Sequence, residues 1–418
     1  MRLHTPTDSA GTARTGPRDR SRLRRWAAAV TALAGVLTAA AVPTATQAAH
    51  AAQERPHPDH VERAADPARS LRMNQLQAMA THNSYHREAS LEEQRLMGLY
   101  DPGYRNLLYS HSSLPHQFER QRVRGIELDV FPDPRGGLYA DPLIRKKAGL
   151  PPLTDPEVKK PGFKVLHWAD FDYNTTCTTL RGCLGQVKKW SDSRPGHAPV
   201  PVLLELKQTD PRLEQAGGAK SPPWDTKMLD ALDAEIRSVF PEEGMVTPDD
   251  VRRPGRTLEQ SVLRYGWPRV SAARGKTMFL MDNNDQKLQD AYRAGGRESL
   301  QGRVLFTNSR PGRDDAAFVE SNDPTGANRA AIQDLVRRGY FVRTRADVPL
   351  DQAASGDTSM LRDALAAGAQ MVSTDFPSPG MAARYGSDYV GELPRGSGVV
   401  RCNPVNAARG CPVGQLER

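Results

Sequence analysis

Four segments of the chain close on polar or charged residues where an apolar run would be expected to continue. The run ending at Thr81 leads into His82-Asn83, Ile126 to Val130 carries Glu127 and Asp129, Val165-Leu166 leads to His167, and Val202 to Leu206 carries Glu205 and is followed by Lys207. Glu127 and Asp129 are two residues apart, so in an extended segment their side chains point to the same side. With Glu205 and the Asn83 carbonyl oxygen they form an all-oxygen donor set. Hard oxygen ligands select Ca2+ or Mg2+ over zinc, and an amide plus three carboxylates, with positions left for water and substrate, suits Ca2+. Zinc templates are absent: there is no H-E-x-x-H, and no histidine follows His197. Each residue alone has a plainer reading, a hydrogen-bonded structural histidine or a core ion pair such as Glu205 with Lys207. Four consecutive segments with such endings outweigh it, because every buried charge is costly unless something compensates it.

The elements that must position these groups are short apolar or β-branched runs: QAMATHN from Gln77, GIELDVF from Gly125, KVLHW from Lys164 and PVLLELK from Pro201. KTMFLMD from Lys276, RVLFTN from Arg303, YFVRTRA from Tyr340 and QMVSTDF from Gln370 continue the series. Helical stretches lie between several of them, among them CLGQVKKWSD, WDTKMLDALDAEIRSVF and NRAAIQDLVRRG. Eight strands alternating with helices predict an α/β protein of the (β/α)8 TIM-barrel class, whose active site lies at the carboxyl ends of the strands. THNSYH stands where an open doubly wound sheet would place a glycine-rich turn. The long connection Pro132 to Gly162 then belongs to the catalytic rim, and His86, His111, His116 and His197 read as surface or rim groups.

The chain has 418 residues with 57 Lys+Arg against 49 Asp+Glu, a formal charge of +8. More than half of that excess sits on seven arginines between Arg2 and Arg25, so nucleic acid is excluded as a partner. Those arginines precede the apolar run Trp26 to Val42, which leads to small-residue sites near 48–52, the pattern of a secretory signal over residues 1–51. A polar leader at 52–72, a barrel over 73–390 and an irregular tail at 391–418 complete the organisation. In an oxidising compartment the four cysteines read as two local disulfides, Cys177 with Cys183 and Cys402 with Cys411.

Taken as an ordered set, THNSYH, IELDVF, VLHW, LLELK and VSTDF resemble the phosphoinositide-specific phospholipase C-like phosphodiesterase superfamily, and within it the secreted, calcium-dependent phosphoinositide phospholipases C of actinobacteria. The resemblance runs from about Gln77 to Phe376. It implies that His82 and His167 are the two catalytic histidines and that Asn83, Glu127, Asp129 and Glu205 hold Ca2+. Related glycerophosphodiester phosphodiesterases usually carry His-Arg-Gly at the first strand, where this chain has His82-Asn83-Ser84. The expected reaction is attack of the inositol 2-hydroxyl on phosphorus at a membrane surface, by a monomer with no protein partner. Lys207, Trp168, Arg343 and Asp375 are further candidates for substrate contact. A glycerophosphodiesterase acting on soluble head groups, or a silent barrel acting as a binding module, are the alternatives.

Overall fold

The computed structural model describes residues 70–408, 411, 416 and 417. The expected signal segment and nearly all of the leader lie outside these residues. Ten strands follow in order: β1 (Leu76–Thr81), β2 (Ile126–Asp133), β3 (Gly162–Val165), β4 (Val200–Leu206), β5 (Thr277–Met281), β6 (Leu305–Thr307), β7 (Phe318–Glu320), β8 (Phe341–Arg345), β9 (Met371–Thr374) and β10 (Val400–Cys402). They form two five-stranded sheets, ordered β10-β1-β9-β8-β7 and β3-β2-β4-β5-β6. Except for β3 and β10, neighbours within each sheet run parallel.

The two sheets meet along both margins. Between β6 and β7 a parallel bridge joins Asn308 to Phe318. Between β1 and β2 the Thr81 N–H donates to the Gly125 carbonyl at 3.2 Å and the Arg124 N–H to that of Met79 at 2.8 Å. Gly125 permits this approach, since a Cβ there would stand 2.8 Å from the Cβ of Ala80. Strands buried on both faces carry continuous apolar runs. Val202, Leu203, Leu204, Met278, Phe279 and Leu280 are all fully buried, against helices such as Leu180–Asp192 and Thr226–Arg237 outside.

Eight parallel strands are therefore present, but they are not the eight expected. The KVLHW run supplies β3, which pairs antiparallel with the far half of β2, Val130 opposite Val165. It is the returning arm of a hairpin, not a barrel strand. The place it vacates in the count is taken by β7, a three-residue strand that the sequence reading passed over. The connection between β2 and β3 carries its own small core, in which Tyr139 and Ile144 pack with Phe131, Leu166 and Phe171.

The tail is less irregular than expected, because β10 pairs antiparallel with β1, Leu76 opposite Cys402. Both disulfides join the cysteines paired from the sequence, with Cα–Cα separations of 5.3 Å for Cys177–Cys183 and 6.1 Å for Cys402–Cys411. Leu71 is buried and Arg72 bridges to Arg269, so ordered packing starts slightly before residue 73. Among the described residues no helix is long and apolar enough to cross a membrane.

Candidate active site

The register of β2 on β4 sets Asp129 directly beside Glu205, and the two-residue period places Glu127 on the same side. Oxygens of Glu127, Asp129 and Glu205 lie within 4.8 Å of one another. Asp129 is wholly buried; its Oδ1 has no hydrogen-bond partner, and its Oδ2 meets the Lys207 ammonium at 3.2 Å. Lys207 also donates to Glu205 Oε1 at 3.0 Å. On the far wall the Arg343 guanidinium donates to Glu127 and to Glu320, its neighbour across β7 and β8. Four carboxylates thus converge on two cations, which leaves a negative excess suited to a divalent ion.

Electrostatics agree with that count. Burial pushes the Asp129 carboxyl well above the usual carboxylate range, Glu205 and Glu127 push the same way, and Lys207 opposes them. Burial also disfavours the charge on Glu205, but Lys207 outweighs it and holds that carboxyl below its ordinary value. A buried carboxylate oxygen without a partner, in an all-oxygen donor set, fits a hard divalent cation.

Asn83 lies at the sharp turn that ends β1, with φ of 44°, a left-handed conformation that asparagine tolerates better than most residues. Its Oδ1 accepts from the Tyr85 hydroxyl at 3.3 Å and its Nδ2 donates to the Tyr109 hydroxyl at 3.4 Å. Tyr85 adjoins the carboxylates, and burial followed by the Asp129 charge keeps its hydroxyl protonated. Ser84 ties this turn to β2, its N–H donating to the Glu127 carbonyl and its Oγ accepting from the Glu127 N–H.

Both histidines taken as catalytic border this cluster, each anchored through Nδ1 to an aspartate. His82 Nδ1 lies 2.8 Å from Asp375 Oδ1, and its Nε2 lies 3.6 Å from Glu127 Oε1. Arg345 donates to the other oxygen of Asp375 at 3.2 Å. Since a carboxylate only accepts, the short contact assigns the Nδ1 proton of His82 to Asp375. His167 arrives by a different route. Because β3 runs antiparallel to β2, the chain returns to the level of Asp129, whose carbonyl accepts from the Leu166 N–H at 3.3 Å. The loop Trp168–Asp172 then closes on itself, each of these two residues donating its N–H to the other's carbonyl at 2.8 Å, and this delivers Asp172 Oδ2 to His167 Nδ1 at 2.8 Å. Side-chain exposure is 16% for His82 and 23% for His167, so both are reachable from solvent, whereas Asp375 and Asp172 are fully enclosed.

Burial lowers the pKa of His167 and Asp172 only partly opposes that shift. For Asp172 and Asp375 burial works against the charge, but the imidazoles beside them hold both carboxyls well below the ordinary range.

The structure brings His82, Glu127, Asp129, His167, Glu205 and Lys207 together, and Asn83 joins them through Tyr85. Arg343 and Asp375 reach the same site, the first as counter-ion of Glu127 and the second as partner of His82. Trp168 is half-buried beside Phe171 in the hairpin core. Three of the histidines read as surface or rim groups are buried: His86, His111 and His197 have relative exposures of 0%, 4% and 1%, and each has hydrogen-bond partners that make burial affordable. His116 alone is exposed. Asp172, Glu320 and Arg345 were not anticipated. Asp172 stands five residues after His167, close enough to have been considered, while Glu320 was lost with β7.

The carboxylate trio, with Glu127 and Asp129 buried and Glu205 half-buried, thus lies between two aspartate-anchored histidines on the rim of a (β/α)8 barrel, an arrangement suited to metal-assisted chemistry. The family model for Ca2+-dependent phosphoinositide phospholipase C matches residues 71–404, and the chain belongs to that family. It is a phosphoric diester hydrolase with Ca2+ as its cofactor. A Ca2+-dependent phosphoinositol-specific phospholipase C from a Gram-negative Pseudomonas species, solved with myoinositol, is similar at 14% identity and a TM-score of 0.50, covering 79% of this chain and 95% of its own. A Ca2+-dependent phosphatidylinositol-specific phospholipase C from Streptomyces antibioticus is 16% identical with a TM-score of 0.46, covering 73% of this chain and 95% of its own. No curated protein matches the chain significantly.

Proposed function

We propose that the protein cleaves phosphatidylinositol at a membrane surface to diacylglycerol and cyclic inositol phosphate. In this reading it acts as a monomer after export and removal of residues 1–51 near 48–52. The observation that carries the reading is the pair of aspartate-anchored histidines on either side of the carboxylate trio. The inositol 2-hydroxyl attacks phosphorus, its oxygen bonds to phosphorus, and the bond to the glycerol oxygen breaks. The hydroxyl proton passes to a carboxylate of the trio, Glu127 or Glu205, and the leaving oxygen takes the Nε2 proton of the His167 imidazolium, which is left neutral with its Nδ1–H on Asp172. His82, whose Nε2 faces Glu127, donates to the phosphate oxygens as their charge grows. Holding nucleophile and phosphorus in one molecule supplies much of the acceleration.

Asn83, Glu127, Asp129 and Glu205 hold Ca2+, which when bound supplies Lewis-acid stabilisation of the phosphate. Lys207, with 22% of its side chain exposed, shifts in this reading from the carboxylates to the lipid phosphate. Arg343 and Asp375 act from behind, on Glu127 and His82, and half-buried Trp168, next to His167 in the chain, is the remaining candidate for head-group contact.

Support for a membrane surface comes from the helix Leu91–Tyr100 in the connection after β1, on the active-site rim. Leu91 and Leu99 are 67% and 81% exposed, with Arg95 and Arg105 also exposed nearby. Both disulfides suit an oxidising compartment. A head-group panel assayed with and without Ca2+ tests the proposal. Phosphatidylinositol should turn over only with Ca2+ and give the cyclic phosphate first; equal or faster turnover of phosphatidylcholine or of glycerophosphodiesters overturns it.

A further inference from the structure

The carboxylate that anchors His167 has a second imidazole on the same oxygen. Asp172 Oδ2 lies 2.8 Å from His167 Nδ1 and also 2.8 Å from His86 Nε2. His86 is completely buried, and its Nδ1 lies 3.0 Å from the Tyr109 carbonyl. Both nitrogens of His86 therefore face acceptor oxygens, Asp172 Oδ2 and the Tyr109 carbonyl, which hold the ring at both ends. The Tyr109 ring covers it at 4.6 Å between centroids, and the His167 ring meets it edge-on at 6.1 Å and 87°.

The backbone holds this arrangement closed. His86 bridges antiparallel to Thr175, the Thr176 N–H donates to the Tyr85 carbonyl at 2.7 Å and the Arg87 N–H to that of Asn174 at 3.2 Å. The loop after β1 and the loop carrying Asp172 are thus zipped together on either side of the carboxylate. Asp172 Oδ1 has no hydrogen-bond partner, so the orientation of this carboxylate rests on the two imidazoles.

We propose that His86 is a positioning residue for the reaction: wedged between the Tyr109 carbonyl and Asp172, it fixes the carboxylate in the orientation that holds His167 by Nδ1 and turns Nε2 to the substrate. The inference rests on the reading of His167 as the proton donor to the leaving group. Such a relay fixes the tautomer of the working histidine through a carboxylate.

The test compares His86→Leu, His86→Gln and Asp172→Asn in the full chain with Ca2+, on phosphatidylinositol and on an analogue with an activated thiol leaving group. His86→Leu is expected to lower kcat on the lipid by about tenfold to hundredfold, the usual range for an outer-shell partner, with KM nearly unchanged and a smaller loss on the activated analogue. His86→Gln, whose amide nitrogen still donates to Asp172, should recover most of that loss. Nitrogen-15 spectra of labelled histidine, taken at a pH where the His167 imidazolium has lost one proton, should show the remaining proton on Nδ1 in the wild type and a mixture of tautomers in His86→Leu and Asp172→Asn. Wild-type kcat and an unchanged His167 signature in His86→Leu would overturn the proposal, as would equal losses on both substrates with no rescue by glutamine. Should the leucine variant not fold, the glutamine and asparagine variants decide by the same spectra. If His167→Ala itself shows no dependence on the leaving group, the proton-donor reading fails, while the spectra still decide whether His86 positions His167.

Discussion

Arg343 on β8 reaches across the barrel interior to Glu127 on β2, a residue 216 positions away in the chain, while its other terminal nitrogen serves Glu320 and Asn322. Glu127 is buried and Glu320 keeps only 10% of its side chain exposed, and burial pushes Glu320 upward despite the guanidinium. Arg343→Leu leaves two enclosed acids without that cation and should destabilise the Ca2+-free protein by roughly 3–5 kcal/mol, the range for breaking a buried pair. Denaturant unfolding in chelator and in excess Ca2+ checks this, with Ca2+ expected to narrow the gap. Unchanged stability in chelator would mean that the pair contributes nothing.

Asp129→Asn separates metal binding from folding. The substitution removes a wholly buried charge that stands beside Glu205 and near Glu127. Ca2+ affinity, measured by calorimetry, should fall at least tenfold, while the midpoint of thermal unfolding in chelator holds or rises because like-charge repulsion is relieved. A large drop in that midpoint would assign Asp129 a structural role instead.

The two histidines are predicted to differ by leaving group. His167→Ala should lower kcat on phosphatidylinositol by roughly two to four orders of magnitude and much less on an activated thiol ester that needs no proton. His82→Ala should depress both substrates alike, since phosphate charge must be stabilised whatever leaves. Rescue of His82→Ala by the activated ester, and not of His167→Ala, would reverse the assignment.

His111 gives a pH signature. Its Nε2 donates to the His82 carbonyl at 2.9 Å and its buried Nδ1 has no partner, so a second proton would be placed where nothing accepts it. Burial lowers its pKa from 6.5 to about 4. Between those values the unfolded chain binds the proton and the folded one does not, so stability is complete above pH 6.5 and is lost as pH falls toward 4, by roughly 3 kcal/mol for this group. His167 and His197 shift in the same direction and add to the slope, while His86 shifts the other way. His111→Gln keeps the donor and cannot titrate. Unfolding free energies from pH 4 to 7 should be flatter in this variant by about one proton, and identical slopes would refute the assignment.

Leu99 tests the membrane face. With 81% of its surface exposed on the active-site rim, it contributes little to the fold. Leu99→Asp should weaken partition onto anionic phosphatidylinositol vesicles by about tenfold or more, as expected for losing a buried leucine's worth of apolar contact. Turnover of a soluble inositol phosphodiester should be unchanged. Equal loss on both would place Leu99 in the catalytic site.

The barrel class and the two disulfides were legible in the sequence, as were the two histidines and three carboxylates that the fold brings together in the candidate site. The reason is local: a strand that ends in His-Asn or carries Glu-x-Asp states its chemistry within a few residues, and a two-residue period fixes which side chains share a face. What KVLHW does was not legible, because a strand buried on both faces has the same apolar composition whether it runs parallel in a barrel or returns antiparallel in a hairpin. Three residues are too few for β7 to show any period, and Glu320 stayed hidden with it. Tertiary structure alone decided that Asp172 and Asp375 anchor the histidines, that Arg343 neutralises Glu127, and that His86 is a core residue. Asp375 with His82, Arg343 with Glu127 and His86 with Asp172 are pairings between distant parts of the chain, and which group finds which partner is settled only when strand register and loop closure exclude water from between them.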